Sequence, residues 1–377
     1  MKQTILEIPA IDHHCHNLLQ PEWVDNFAYT TAFTEGNEPE ILNLHSHHTL
    51  FFRRSLRDIG NLLNCDATEE SILKTRQTLG IEKLTQKCFT HANLESIFLD
   101  DGFFPDYIFP WQWHQQFTSV FRLIRLEYLA ETLINRIDDF DVFIDCFCQE
   151  IESKYPEVVG LKSIVAYRSG LTIESIPRAT AQLRFTQIKK ENNAQKIRLT
   201  DKILIDFLLG IALDIAAKNK LPIQFHTGFG DRDLDLRFSN PLCLRQLLEN
   251  PRWREVPIIL LHASYPYTKE AGYLASVYPQ VYLDFGLAIP SLSIRGMKGV
   301  LQQLLELAPT TKILYSSDAH NIPELYYLGA KWGRNLLADV LEEAVKDGDL
   351  IEQEALEIAT AILQGNAKRI YPYPVNQ

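Results

Sequence analysis

The chain alternates between short apolar runs and longer stretches of helical periodicity. The apolar runs fall at 8–16, 94–99, 120–127, 158–166, 221–226, 256–262, 281–285 and 312–316. Most are rich in Ile, Val, Leu or Phe and are bounded by polar or turn residues, the pattern of a strand buried on both faces. Helical patterns lie between them, for example at 201–217, 242–248, 268–277 and 351–363. Repeated strand-then-helix order predicts parallel strands joined by crossover helices, hence an α/β fold. Eight such units fit one closed TIM (β/α)8 barrel. A doubly wound open sheet is the alternative, but no G-x-G-x-x-G follows the first run. Residues 18–90 break the alternation and carry a helical pattern at 71–79, so they read as a mostly helical insertion after strand 1, a lid that distorts the barrel. Residues 187–194 (QIKKENNA) read as an exposed loop. Neither stretch resembles a flexible linker, and residues 1–377 are expected to form a single domain.

Composition narrows the function without naming it. Of 377 residues, 46% are hydrophobic and 23% charged, as in ordinary globular chains. Lys and Arg number 37 against 48 Asp and Glu, a net charge of −11, which provides no basic surplus for a nucleic-acid partner. No uninterrupted apolar run approaches the length of a membrane span, and no secretory-signal pattern is present at 1–10. Six cysteines without disulfide-scaffold spacing fit a reducing compartment, so the expectation is a cytoplasmic protein whose partner is a small-molecule substrate. Nothing in the sequence decides for or against a homo-oligomer.

The chemistry-bearing residues cluster at the ends of the apolar runs. The first run closes on Asp12-His13-His14-Cys15-His16, and strand alternation puts His14 and His16 on one face with His13 on the other. Later runs end in His226 and His262, and the last leads into Ser317-Asp318. In a parallel barrel all carboxyl ends of strands converge on one mouth. Imidazoles with a carboxylate suit Zn2+, with Mn2+ or Fe2+ as alternatives. A cation there lowers the pKa of a bound water towards about 7, and a neighbouring carboxylate can take its proton. Tyr167 and Arg168 follow the fourth run, and an Arg at the mouth suits a substrate carboxylate or phosphate. Asp231, in the turn after His226, and Tyr265, after His262, are further substrate-contact candidates. Asp100, Asp101 and Asp284 read either as site residues or as helix caps, and Arg125 with Glu127 as an ion pair. His45-Ser46-His47-His48 reads as a polar stretch, and Trp111-Gln112-Trp113-His114 as packing or a lid wall.

The D-x-H-x-H of Asp12, His14 and His16, together with His226, His262 and Asp318, resembles the amidohydrolase superfamily. The stretches 160–171, 224–231, 261–267 and 365–369 are similar to its amidohydrolase-2 group, which includes the amidohydrolase-like domain of FluG-type and nodulin/glutamine-synthetase fusion proteins. The resemblance spans the chain and is weakest over 18–90. It implies that His14, His16, His226 and Asp318 are metal ligands, with Asp318 also the catalytic base. His262 becomes a catalytic acid/base or a ligand of a second ion. Lys162 is the candidate for a carboxylated lysine bridging two ions, and a single ion is the default. The implied activity is metal-dependent hydrolysis, with activated water attacking a carbonyl carbon, of a C–N amide bond in a small carboxylate-bearing molecule. Alternatives are a metal-dependent decarboxylase of an aromatic or unsaturated acid, and a catalytically weak binding or regulatory barrel.

Overall fold

A computed structural model describes residues 1–24, 27–152, 156–191 and 196–372. Seven parallel strands form one curled sheet in sequential order: β1 (Ala10–Cys15), β2 (Leu94–Asp100), β3 (Ser119–Arg125), β4 (Val158–Ser163), β5 (Ile223–Phe225), β6 (Ile258–Leu260) and β7 (Val281–Leu283). Sequential order is what short right-handed crossovers produce when each strand pairs with the next. All six residues of β1 are buried, and β5 and β6 are buried throughout, which explains why these strands read as apolar runs rather than alternating ones. One apolar cluster, including Ile11, Phe98, Leu123, Ile259 and Leu314, is joined by Ile370 and Tyr371 from the end of the described chain.

The eighth run does not form a regular strand. Residues 310–312 make a short helical turn, and 313 meets the sheet through an isolated bridge to Leu283. Its neighbours still bond to both sides: the Leu314 N–H donates to Leu283 O (2.8 Å) and the His13 N–H to Tyr315 O (3.3 Å). The Asn366 side chain takes the Ile313 carbonyl (2.7 Å), so that group is partnered outside any ladder.

Between β1 and β2 the chain is largely helical. Thr49 caps the helix Leu50–Leu63, and Thr68 caps Glu69–Ala92, which contains the expected 71–79 helix and kinks at Gly80. Two contacts tie these helices to the long helix Pro323–Asp347. Buried Arg76 pairs with buried Glu324, and Asp58 accepts from Lys331 Nζ (2.9 Å) and Trp332 Nε1 (2.6 Å). The expected loop at 187–194 needs correcting: 187–191 complete the helix Arg178–Glu191, where Lys189 Nζ donates to Ile134 O (2.8 Å). Residues 192–194 lie outside the described residues. Among the described residues, no helix is long and apolar enough to cross a membrane.

The Arg76–Glu324 pair makes a stability prediction. Glu324→Ala strands a guanidinium that is only 8% exposed, which costs about 3–5 kcal/mol. Urea unfolding should show that loss, and Arg76→Met in the same chain should recover much of it.

Candidate metal centre

The ends of β1 and β6 and the residues after the 312–316 run deliver their polar side chains to one place. Asp318 Oδ1 lies 3.0 Å from His14 Nε2 and 3.3 Å from His16 Nε2, and Asp318 Oδ2 lies 4.0 Å from His262 Nδ1. His14, His262 and Asp318 each offer a ligand atom within 4.8 Å of the others. Tight turns aim these side chains. His262 and Asp318 both adopt left-handed backbone, at φ 67° and 55°, a conformation unfavourable for residues with a Cβ. Hydrogen bonds hold it: Asp284 Oδ1 accepts from the His262 N–H (2.6 Å), and the Asp318 N–H donates to His14 O (3.0 Å). Asp12 accepts from the Ser317 N–H (2.9 Å) and the Ser317 hydroxyl.

The protonation pattern suits a cation. Burial pushes His14 down to about 3, helped by the Lys162 charge, and pushes His262 down to about 4. Asp318 is held well below the carboxylate range: burial opposes this, but His262 and the hydrogen bonds from His14 and His16 outweigh it. Uncharged imidazoles beside an ionised carboxylate are the ligand forms a metal requires. His16 Nδ1 donates to Asp100 O (3.0 Å), which orients the ring so that Nε2 faces Asp318 Oδ1 at 3.3 Å.

The other expected site residues divide. The His226 ring packs 4.5 Å from His262 and 4.5 Å from Tyr167, but its Nε2 donates to Phe229 O (3.0 Å), which leaves Nδ1 as its lone-pair atom. Lys162 is 2% exposed with Nζ 3.5 Å from His14 Nε2, and burial lowers it to about 8. Tyr167 covers Gly230, where an added Cβ would meet its hydroxyl at 1.9 Å. Asp231 is half-buried beside this pocket, and the Tyr265 ring packs on Phe229 at 5.4 Å. Arg168 pairs through NH2 with Glu131 at 3.1 Å, while its buried Nε has no hydrogen-bond partner. Arg125 pairs with Asp100 (2.6 Å) rather than with Glu127, since helix Leu126–Ile134 starts between them and Glu127 accepts from Ser163 Oγ (2.7 Å) and the Ile164 N–H (3.0 Å). Asp101 pairs with Arg122 at 2.7 Å.

His13 has other partners than His14 and His16: it is fully buried, with Nε2 3.3 Å from Asp284 Oδ2 and Nδ1 3.0 Å from the Tyr371 hydroxyl. The pairing of β1 with β2 shifts register between Asp12 and Cys15. The 45–48 histidines have separate partners, His47 with Glu69 (3.2 Å) and His48 with Arg53 (3.2 Å). Sequence reasoning missed Glu35 and His320, which line one pocket with Asp318, and Phe103, which stacks on His16 at 5.0 Å. None of these three ends an apolar run, so no pattern marks them.

Comparison with known proteins follows the same line. Residues 209–373 match the amidohydrolase family model, Amidohydro_2. This region is similar to the amidohydrolase family. The chain is also 30% identical to protein FluG of Emericella nidulans, over 98% of this chain and 46% of FluG, so it spans about half the length of that relative. A crystal structure from Lactobacillus casei, described as a metal-dependent hydrolase, is 28% identical with a TM-score of 0.86, covering 98% of this chain and 96% of that one. The fold of uronate isomerase from Thermotoga maritima is similar, at 14% identity and a TM-score of 0.66, with coverage of 98% and 95%. The family resemblance expected from the strand-end motifs therefore holds.

His14→Ala removes a central donor from this site. Elemental analysis after zinc loading should find stoichiometric metal in the parent and background metal in the variant, with unchanged far-UV circular dichroism.

Proposed function

We propose that the chain is a metal-dependent hydrolase that cleaves a C–N amide bond in a small molecule. The observation that carries this reading is the convergence of uncharged His14 and His262 on ionised Asp318. The matching family and the metal-dependent hydrolase of Lactobacillus casei support it. On this reading the sheet is a distorted (β/α)8 barrel, closed where the 312–316 run bonds β7 and β1, and 18–90 is its lid.

His14, His16, His226 and Asp318 would hold one Zn2+, with Mn2+ or Fe2+ as substitutes, and Lys162 is the group whose carboxylation would admit a second ion. A bound ion acidifies water and polarises a carbonyl. Asp318 takes the attacking water's proton at Oδ2, the oxygen that His14 and His16 leave free. His262 Nδ1, 4.0 Å from that oxygen and without a hydrogen-bond partner, is placed to relay the proton to the leaving nitrogen. Tyr167, Asp231 and Tyr265 line the approach and position the substrate.

Removing the metal with a chelator should abolish amide cleavage, and zinc should restore it. Asp318→Asn should lower kcat by about 10²–10⁴ by deleting the base. Assaying amides and aryl carboxylates in parallel separates the chemistries: released amine supports hydrolysis, whereas released CO2 without amine identifies a decarboxylase instead.

A further inference from the structure

Aromatic rings continue outward from the metal centre. The Phe103 ring, in the turn after β2, packs on His16 at 5.0 Å and lies 6.0 Å from the ring of His320, which shares a pocket with Asp318. Phe104 packs on Phe103 at 4.2 Å, and Phe27, from the segment after β1, lies 5.7 Å from Phe104. Tyr107 and Trp23 extend the row, with Tyr107 6.3 Å from Phe27 and 4.6 Å from Trp23. Two separate segments of the chain thus build one aromatic wall that starts at a candidate metal ligand.

The turn that carries the wall is pinned at both ends. The Gly102 N–H donates to Asp100 Oδ1 (3.2 Å), and the Tyr107 N–H to Phe104 O (2.9 Å). The Gln20 N–H donates to Tyr107 O (3.0 Å) and the Phe109 N–H to Leu18 O (2.8 Å), which stitches the turn to the chain leaving β1. A Cβ at Gly102 would meet Arg125 Cβ at 2.9 Å, so the turn sits as close to β3 as glycine allows. This packing leaves Phe104 37% exposed in left-handed backbone at φ 50°, which is strained for a bulky side chain. Phe103, Phe27, Tyr107 and Trp23 are half-buried. A lone exposed Phe would mean little, but a contiguous row that runs to the metal centre marks a surface for a ligand. Ring geometry selects the occupant. Phe104 is inclined 48° to Phe103 and 58° to Phe27, so a planar ring entering there meets a face and an edge together, as aromatic pairs prefer. An alkyl chain would gain only the buried area. A cation is already in place, since Arg125 stands 5.8 Å over Phe103, and a second positive charge beside it is disfavoured.

We propose that the substrate carries an aryl group that lies against Phe103 and Phe104 while its scissile carbonyl faces Asp318 and His262. The carbonyl part rests on the hydrolase reading, whereas the aryl part rests on the wall. Phe103 and Phe104 are thus specificity residues supplied by the turn after β2.

Hydroxamates test this because one end grips zinc while the other end is varied. Calorimetry on the zinc-loaded full chain compares acetohydroxamate, cyclohexanecarbohydroxamate and benzohydroxamate. Benzohydroxamate should bind about tenfold or more tighter than acetohydroxamate, from the added apolar area. It should bind about threefold or more tighter than the cyclohexane analogue, from ring-on-ring contact. Two variants locate the effect: Phe104→Ala, which does not touch the ligand residues, and Phe103→Leu, which keeps apolar volume beside His16. Each should cut the ratio of benzohydroxamate to acetohydroxamate affinity about threefold or more. Benzyl alcohol, which has no zinc-binding group, reads the wall alone: saturation-transfer NMR should show contact with its ring protons in the parent and a loss in both variants. Equal affinity for acetohydroxamate and benzohydroxamate, a cyclohexane analogue that binds as tightly as the aryl one, or an aryl preference that survives both variants each overturns the proposal. If benzyl alcohol binds through Phe103 and Phe104 but no hydroxamate binds and no amide is cleaved, the hydrolase reading fails and the aryl wall stands. If acetohydroxamate binds and the aryl group adds nothing, the wall fails and the hydrolase reading stands.

Discussion

The backbone seam between β1 and the segment 315–319 is the constraint on which the site depends. His13 donates to Tyr315 O, Asp318 to His14 O and His16 to Ala319 O, at 3.3, 3.0 and 2.7 Å. These bonds join opposite ends of the chain and fix the carboxylate of Asp318 against two imidazoles. Without the seam, the left-handed turn at Asp318 would have no reason to persist, since it is strained for any residue with a side chain. The chemistry of the centre and the joining of β1 to 315–319 are therefore one event.

Beneath the seam lies a buried polar network whose members depend on one another. Asp284 receives the His262 N–H and the Ser316 hydroxyl and faces His13, while Gln224 Nε2 donates to His13 O (2.7 Å) and to the Tyr371 hydroxyl (2.8 Å). Such networks fix geometry only when nearly complete, because an unpaired buried polar group costs more than a made bond gains. That explains how Tyr371, far from the mouth, shares in holding His262: it anchors His13, and His13 anchors Asp284. It also explains why Asp284 stays below the usual carboxylate range despite burial, since His13, His262 and Ser316 all favour its charged form.

The sequence was readable where a residue's place follows from its own run. The first seven strands appear where apolar runs lie, because both faces are buried, and His14, His16, His262 and Asp318 sit where those runs end. It was unreadable where a distant partner decides. Arg168 pairs through NH2 with Glu131, on helix Leu126–Ile134, and keeps an unpartnered Nε, neither of which its own run announces. His13 read as lying opposite His14 and His16, but nothing local marks the Asp284 and Tyr371 partners that hold it. The eighth run contains strand-like residues, but its ladder is broken by Asn366, a side chain from near the end of the described chain. Glu35 was invisible because it follows a single helical turn in a segment without a sustained period; that segment meets helix Pro323–Asp347 where the Tyr29 hydroxyl reaches Glu324, and Glu35 lies beside Asp318 in one pocket.

The same partners divide labour between floor and rim. At the floor, Asp318 stands among imidazoles that burial keeps uncharged, so its charge is available to a compact divalent ion. At the rim, half-buried Asp231 has guanidinium groups rather than imidazoles among its charge neighbours, those of Arg198 and Arg168, so the outer layer carries both signs of charge.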